Sequence, residues 1–235
     1  NPESAALEPL EALPSFVRDN RIEHEHLRYP LKDIRGTVTV DRSRVAFDDV
    51  TAVPAIEAVA DDVGSVRFDG WISLADDDPN AGVFAIEAQN VPFTSELGEV
   101  LPESLTGVYQ DLGAQGPFDL DMRVHKVASV GAEEKRFDFD GTMGLDGCRF
   151  DVSGVPMEMS GTLTARGSYG ASGGLSRGRL DLDAERFVVK GKTVTDLHAA
   201  AAFDPDSGRW TARNFLGRCY DGRVLGTLEV GPAEP

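Results

Sequence analysis

Long apolar runs are missing from this chain of 235 residues. No stretch approaches the roughly 18 positions that a membrane-spanning helix needs. Cations are scarce as well: Lys and Arg number 23 against 40 Asp and Glu, for a net charge of −17. Such a chain does not build the counterion-releasing basic face that nucleic acid requires. The same charge repels an anionic membrane surface but does not exclude contact with acyl chains. Cysteine is down to two, Cys148 and Cys219, both in strand-like stretches. A bridge is conceivable only if those strands are neighbours; otherwise two isolated thiols read as small buried side chains. There is no G-x-x-x-x-G-K-[ST] phosphate loop. Gly170-Ala171-Ser172-Gly173-Gly174 matches G-x-S-x-G formally, but it lies between two strand-like segments in a glycine cluster. A nucleophile elbow needs a strand entering a helix, so a hairpin tip over Ser168–Gly174 is the expectation.

What is present is a recurring strand phrase. An apolar residue, a spacer, Gly, usually Thr, and two further apolar residues with a spacer between them occur five times. The copies centre on Gly36, Gly70, Gly141, Gly161 and Gly226. Apolar residues fall two before the glycine and two and four after it. Successive strand side chains point to opposite faces, so each phrase is a half-buried strand with glycine on its apolar side. Hydrophobic residues make up 41% of the chain, enough for a core. The expected fold is mainly β: a large curved antiparallel sheet, a taco-like groove or half-barrel, with one short helical insert. The five glycines are expected to shape the curve by removing side chains where curvature would crowd neighbours. Asp119, Asp121, Asp138, Asp140, Asp181 and Asp183 alternate with the apolar positions and read as solvated outer surface.

Along the chain, residues 1–20 form a proline-broken lead-in, residues 21–230 a single β domain, and residues 231–235 a tail. Period-two strands are expected over Ile22–Tyr29, Ile34–Val40, Arg44–Val50, Val66–Leu74 and Gly82–Ala88. Further strands are expected at Phe118–Val124, Arg136–Asp140, Cys148–Val152, Gly178–Phe187, Val188–Val189, His198–Phe203, Trp210–Phe215 and Val224–Val230. The insert spans about 92–113. Thr94-Ser95-Glu96 supplies its start, Pro102 splits it into two short helices, and Gly113 closes it. The chain opens at Asn1-Pro2 without an initiator Met or an apolar leader, and is expected to be a piece of a longer protein.

Three segments carry a family resemblance. Tyr29–Val40, with the strand Val45–Val50 after it, resembles the phrase that opens repeat units in AsmA-like and TamB-like envelope proteins. Asn214–Gly226 resembles their segment in which a glycine pair leads into a new strand, and the insert from Val91-Pro92 is similar to inserts in long bacterial members. The resemblance covers Tyr29 to Val230. It implies a hydrophobic groove in one segment of a long periplasmic protein anchored in the inner membrane. It further implies phospholipid handling or outer-membrane assembly, with no catalytic residues to carry over. The many outer Asp residues depart from that pattern and argue against a headgroup role for the outside.

The positions expected to meet lipid acyl chains are Val38, Val40, Ile72, Leu74, Met143, Leu145, Leu163 and Leu228, on the shared parity of the phrases. Expected partners are phospholipid acyl chains and neighbouring repeats of the parent chain. The alternative is a closed structural module whose apolar face is sealed by the insert and by those repeats. What separates the two is whether the insert lies across the apolar face or caps one end. No cofactor and no metal is expected. His24-Glu25-His26 has a ligand-like spacing that His125 and His198 could extend, but isolated surface imidazoles are the plainer reading. Asp76-Asp77-Asp78-Pro79-Asn80 reads as a solvated turn. An enzyme acting on glycans would need two carboxylates facing across a cleft, whereas the Asp pairs lie along single strands.

Overall fold

The computed structural model describes residues 22–24, 27–55, 64–75, 82–100, 103–127, 136–152, 154–170 and 175–230. Twelve strands form one antiparallel sheet in chain order. They are β1 Ile22–His24, β2 Leu27–Val40, β3 Arg44–Pro54, β4 Ser65–Ser73, β5 Gly82–Pro92, β6 Pro117–Val127, β7 Arg136–Val152, β8 Val155–Gly170, β9 Leu175–Val189, β10 Lys192–Asp204, β11 Arg209–Cys219 and β12 Gly222–Val230. Helices α1 Ser95–Val100 and α2 Glu103–Leu112 stand between β5 and β6. The sheet is open, not closed into a barrel. Each strand pairs with the next, as short connections favour. The β2–β3 turn shows how: the Asp41 carboxylate accepts from the Ser43 hydroxyl at 2.6 Å and from the Ser43 and Arg44 N–H groups at 2.7 and 2.9 Å. Those bonds, the Ser43 hydroxyl foremost, hold its carboxyl below the usual carboxylate range.

Several expected boundaries move. The strand expected over Ile22–Tyr29 divides into β1 and β2, with His24 opposite Leu27; Glu25 and His26 lie outside the described residues. The stretches Arg136–Asp140 and Cys148–Val152 are one strand of 17 residues. Ser168–Gly170 continues β8 and pairs with β7, so the expected hairpin tip is shorter, its remainder lying outside the described residues. Leu74 stands one residue beyond β4, where its N–H donates to the Ser43 carbonyl at 2.7 Å. The lead-in, the tail and Asp76–Asn80 also fall outside the described residues.

Strict alternation fails on seven strands, always the same way, and on β9 it fails a second time at Leu175/Gly178. Two apolar-face residues stand three apart instead of two: Leu31/Ile34, Phe47/Val50, Ala88/Val91, Leu145/Cys148, Ala184/Phe187, Val194/Leu197 and Ala212/Phe215. Each jump is a β-bulge, one extra residue that bends the strand and raises its twist. The residue before the second apolar position is left-handed at Asp33 (φ 54°), Asp49 (47°), Asn90 (52°), Gly147 (62°) and Asp196 (49°). Asp, Asn and Gly are the residues that tolerate this conformation.

The helix pair is built as its sequence dictates. Thr94 caps α1, its hydroxyl accepting from the Leu97 N–H at 3.3 Å, and Gly113 (φ 51°) ends α2. Tyr109 on α2 packs its ring on Gly98 of α1 and donates its hydroxyl to the Thr94 carbonyl at 2.7 Å. Phe93, just before α1, meets Phe118 at 4.6 Å and Phe150 and Tyr109 at 6.2 Å between ring centroids. Helix α1 contacts β2 and α2 contacts β7. The insert therefore lies over the apolar face at one end of the strands, spanning β2 to β7. Beneath it sits the main core: Leu31, Ala52, Val66, Ala88, Val91, Phe118, Leu145 and Cys148. A smaller cluster of Ala184, Val194 and Leu197 adjoins it through Met159.

Candidate functional site

Register turns the phrase parity into one continuous apolar face. A single row crosses eleven strands: Val38, Phe47, Gly70, Phe84, Val124, Phe139, Gly167, Gly178, Phe203, Trp210 and Val230. It lies away from the helices, on the uncovered half of the face. Aromatic rings cover its glycines. Phe47 and Phe84, on either side of Gly70, meet at 5.1 Å, and Phe68 stacks on Phe84 at 5.7 Å. The Phe139 ring occupies the place of a side chain on Gly167; the Trp210 ring does the same on Gly178 and meets Phe203 at 5.3 Å. An aromatic beside a glycine fills the gap that the missing side chain leaves, so this half has a smooth apolar floor.

The expected lipid positions separate into three environments. Val38 and Val40 are 51% and 58% exposed on β2, beyond the helices' reach, opposite Phe47 and Val45. Ile72, opposite Val45, is half-buried, as are Met143 and Leu163, which face each other across β7 and β8. Leu145 belongs to the closed core at 6% exposure, so it is not part of an open groove. Leu74, off the strand, is 51% exposed. Leu228 is opposite Ala212 by register.

The five phrase glycines differ in what stands beside them. What occupies the space of a Gly70 Cβ is the Val83 carbonyl of the neighbouring strand, not a crowded side chain, and its φ of 116° is closed to other residues. The neighbouring backbone likewise stands in the way at Gly36, Gly141 and Gly161. At Gly226 the space is open, so nothing there requires glycine.

The aromatic floor was not singled out from the sequence. Its signal was there: aromatics on the same parity as the glycines, at Phe47, Phe84, Phe139 and Phe203. The opposite face is polar. Asp183 and His198 meet there at 3.1 Å, and Arg67 bridges Asp49 at 2.8 Å and Glu87 at 3.6 Å. Its depressions are open and lined by groups such as Asn90, Asp119, Ser160, Thr162 and Glu185. Among the described residues no group of three His, Cys, Asp or Glu side chains converges as metal ligands would. Cys148 and Cys219 are both free, on strands four apart; burial pushes the Cys148 thiol up, and it donates to the Pro117 carbonyl at 2.9 Å. Comparison with protein-family models, curated proteins and solved structures found no match to this chain.

Proposed function

We propose that this chain is a non-enzymatic segment of a bacterial envelope protein of the AsmA-like and TamB-like kind, and that its apolar face receives phospholipid acyl chains. The observation that carries this reading is the uncovered half of that face. Val38 and Val40 stay about half exposed, and their partners across the strands continue them into a floor of Val45, Phe47, Ile72 and Phe84. A contiguous apolar surface that nothing among the described residues covers is a site for an apolar partner. An acyl chain needs no hydrogen bonds, and the floor offers none. On this reading the segment works in the periplasm, attached to the inner membrane through a part of the protein outside this chain. It serves phospholipid handling or outer-membrane assembly beside neighbouring repeats.

The closed end supports a second reading. There the helix pair seals Leu145, Phe118 and Cys148 from solvent, as a purely structural module would. Native mass spectrometry on detergent-free protein, with lipid analysis of what is released, separates the two. Phospholipid at defined stoichiometry, lost on Val38→Asp with Val40→Asp, is the result expected for an acyl-chain groove. A clean apo mass that takes up nothing from added phospholipid vesicles overturns it in favour of the structural module.

A further inference from the structure

Charge is not spread evenly along this chain. Residues 45–122 hold sixteen Asp and Glu and a single cation, Arg67. Residues 155–204 hold six Asp and Glu and six Lys and Arg. The fold sets Arg67 among the acids of its own region. From the polar face of β4 it meets Asp49 of β3 at 2.8 Å and Glu87 of β5 at 3.6 Å. Asp49 foremost, then Glu87 and Asp69, raise the pKa of its guanidinium above the ordinary arginine value. Asp49 is the left-handed residue of the β3 bulge, and its N–H donates to the Asp69 carboxylate at 3.3 Å. One guanidinium therefore joins three strands. On β8 and β9, by contrast, Glu158 and Asp181 each have a guanidinium of their own, Arg186 and Arg179.

We infer that β3–β5 is a unit whose stability is set by ionic strength, with Arg67 as the cation that holds it, and that it opens apart from β8–β10. An exposed ion pair contributes little alone. The summed repulsion among many like charges is larger, and it is greater in the folded sheet than in the open chain. Neighbouring strands lie about 4.8 Å apart. The Debye length is about 30 Å at 0.01 M salt and about 8 Å at 0.15 M, so dilute salt leaves this repulsion unscreened across the whole unit. Separate opening follows from the topology. Each strand bonds only to its neighbours in the chain, and β3–β5 and β8–β10 are not adjacent in the sheet. Units that share no contacts open independently. Phe47, Ile72 and Phe84 of the uncovered floor lie on β3–β5, so low ionic strength loosens that part of the apolar face first.

Hydrogen exchange on the whole chain at about 0.01 M and about 0.15 M NaCl, repeated with KCl, tests this. The expected result is that exchange in β3–β5 slows about threefold or more with added salt, while that in β8–β10 changes less than about twofold. Arg67→Gln removes the one cation and widens the response of β3–β5, and Arg67→Lys returns it toward the parent. Asp48→Asn, at an exposed carboxylate of β3, narrows it, which keeps the test open if Arg67→Gln does not fold. Arg179→Gln, in the evenly charged region, leaves it unchanged. Equal salt responses in the two units, or an Arg67→Gln variant that responds like the parent, overturn the proposal. So does an effect of NaCl that KCl does not reproduce, which would mark a bound ion and not screening.

Discussion

Leu145 and Cys148 stand three residues apart on β7 and are buried on the same face, at 6% and 0% exposure. Leu145 pairs with Gly161 and Cys148 with Met159, so three residues of β7 oppose two of β8. Six other strands make the same step. The bulges on β2, β3, β5 and β7 fall within the span of the helix pair, those on β9, β10 and β11 beyond it, and a bulge adds bend and twist where it sits. The helices cover the apolar face only at one end of the strands, where Leu31, Leu145 and Cys148 are buried, while Val38 and Val40 stay exposed.

The left-handed residues of those bulges carry a prediction against ordinary strand propensity. Asp33 has φ 54°, is exposed, and sits within β2. Valine favours strands, yet Asp33→Val costs about 1–2 kcal/mol, because a β-branched side chain is strained at positive φ. Lys32→Val next to it, also exposed, changes stability by less than about 0.5 kcal/mol. Urea midpoints at unchanged slope measure both. Equal effects would remove the bulge explanation.

The strands were legible because alternation is a strong signal over runs this long, and the glycine of every phrase lies in a strand, Leu74 alone of the phrase residues falling just outside one. The bulges were legible too, though in a spacing that strict alternation hides. Leu31-Lys32-Asp33-Ile34, Phe47-Asp48-Asp49-Val50, Ala88-Gln89-Asn90-Val91, Leu145-Asp146-Gly147-Cys148 and Val194-Thr195-Asp196-Leu197 are one signature. An apolar pair three apart holds Asp, Asn or Gly just before its second member. Reading period two alone ended a strand at Asp140 and restarted another at Cys148. Local pattern could not say which part of the apolar face is open. Val38 and Leu145 share a parity, and only the docking of α1 and α2 separates their burial.

The phrase glycines divide by what stands beside them. Gly70→Ala places a Cβ into the Val83 carbonyl at a φ of 116°, and is expected to cost about 3 kcal/mol or more. Gly226→Ala meets nothing within 4 Å and is expected to be neutral to within about 0.5 kcal/mol. Chemical denaturation of the two variants decides it. Comparable losses would mean that curvature, not contact with the neighbouring backbone, selects glycine in the phrase.

Tyr109 ties the insert together and gives it a pH dependence. Burial pushes its phenol up to about 12, against 10 for the free side chain. The folded state therefore holds this proton where the unfolded state releases it. Tyr109 contributes stability that is full below pH 10 and lost progressively as pH rises from about 10 to 12. Ultraviolet titration of phenolate should show a late component that is absent in Tyr109→Phe. That variant also loses the bond to the Thr94 carbonyl, at a cost of about 1 kcal/mol. Hydrogen exchange should then rise in α1 and α2 while the core amides of β6 and β7 stay protected. Uniform deprotection would show that the insert and the sheet open as one unit.

Val40 and Leu145 test what the open half of the face is for. Both occupy the same place in their phrases, four residues after the glycine, but Val40 is 58% exposed and Leu145 is 6% exposed. Val40→Asp puts a carboxylate where water already reaches, so its effect on stability is expected to stay below about 1 kcal/mol. Leu145→Asp buries a charge among Phe118, Val91 and Cys148, and is expected to cost about 4 kcal/mol or more and to unfold the covered end. If acyl chains lie on the uncovered half, Val40→Asp releases bound phospholipid from a protein whose denaturation midpoint has barely moved. Loss of lipid only in variants that also lose the fold would instead place the contact in the closed core. Only the pairing of a stability assay with a lipid assay tells these apart, since a lipid assay alone reads Leu145→Asp as a groove defect.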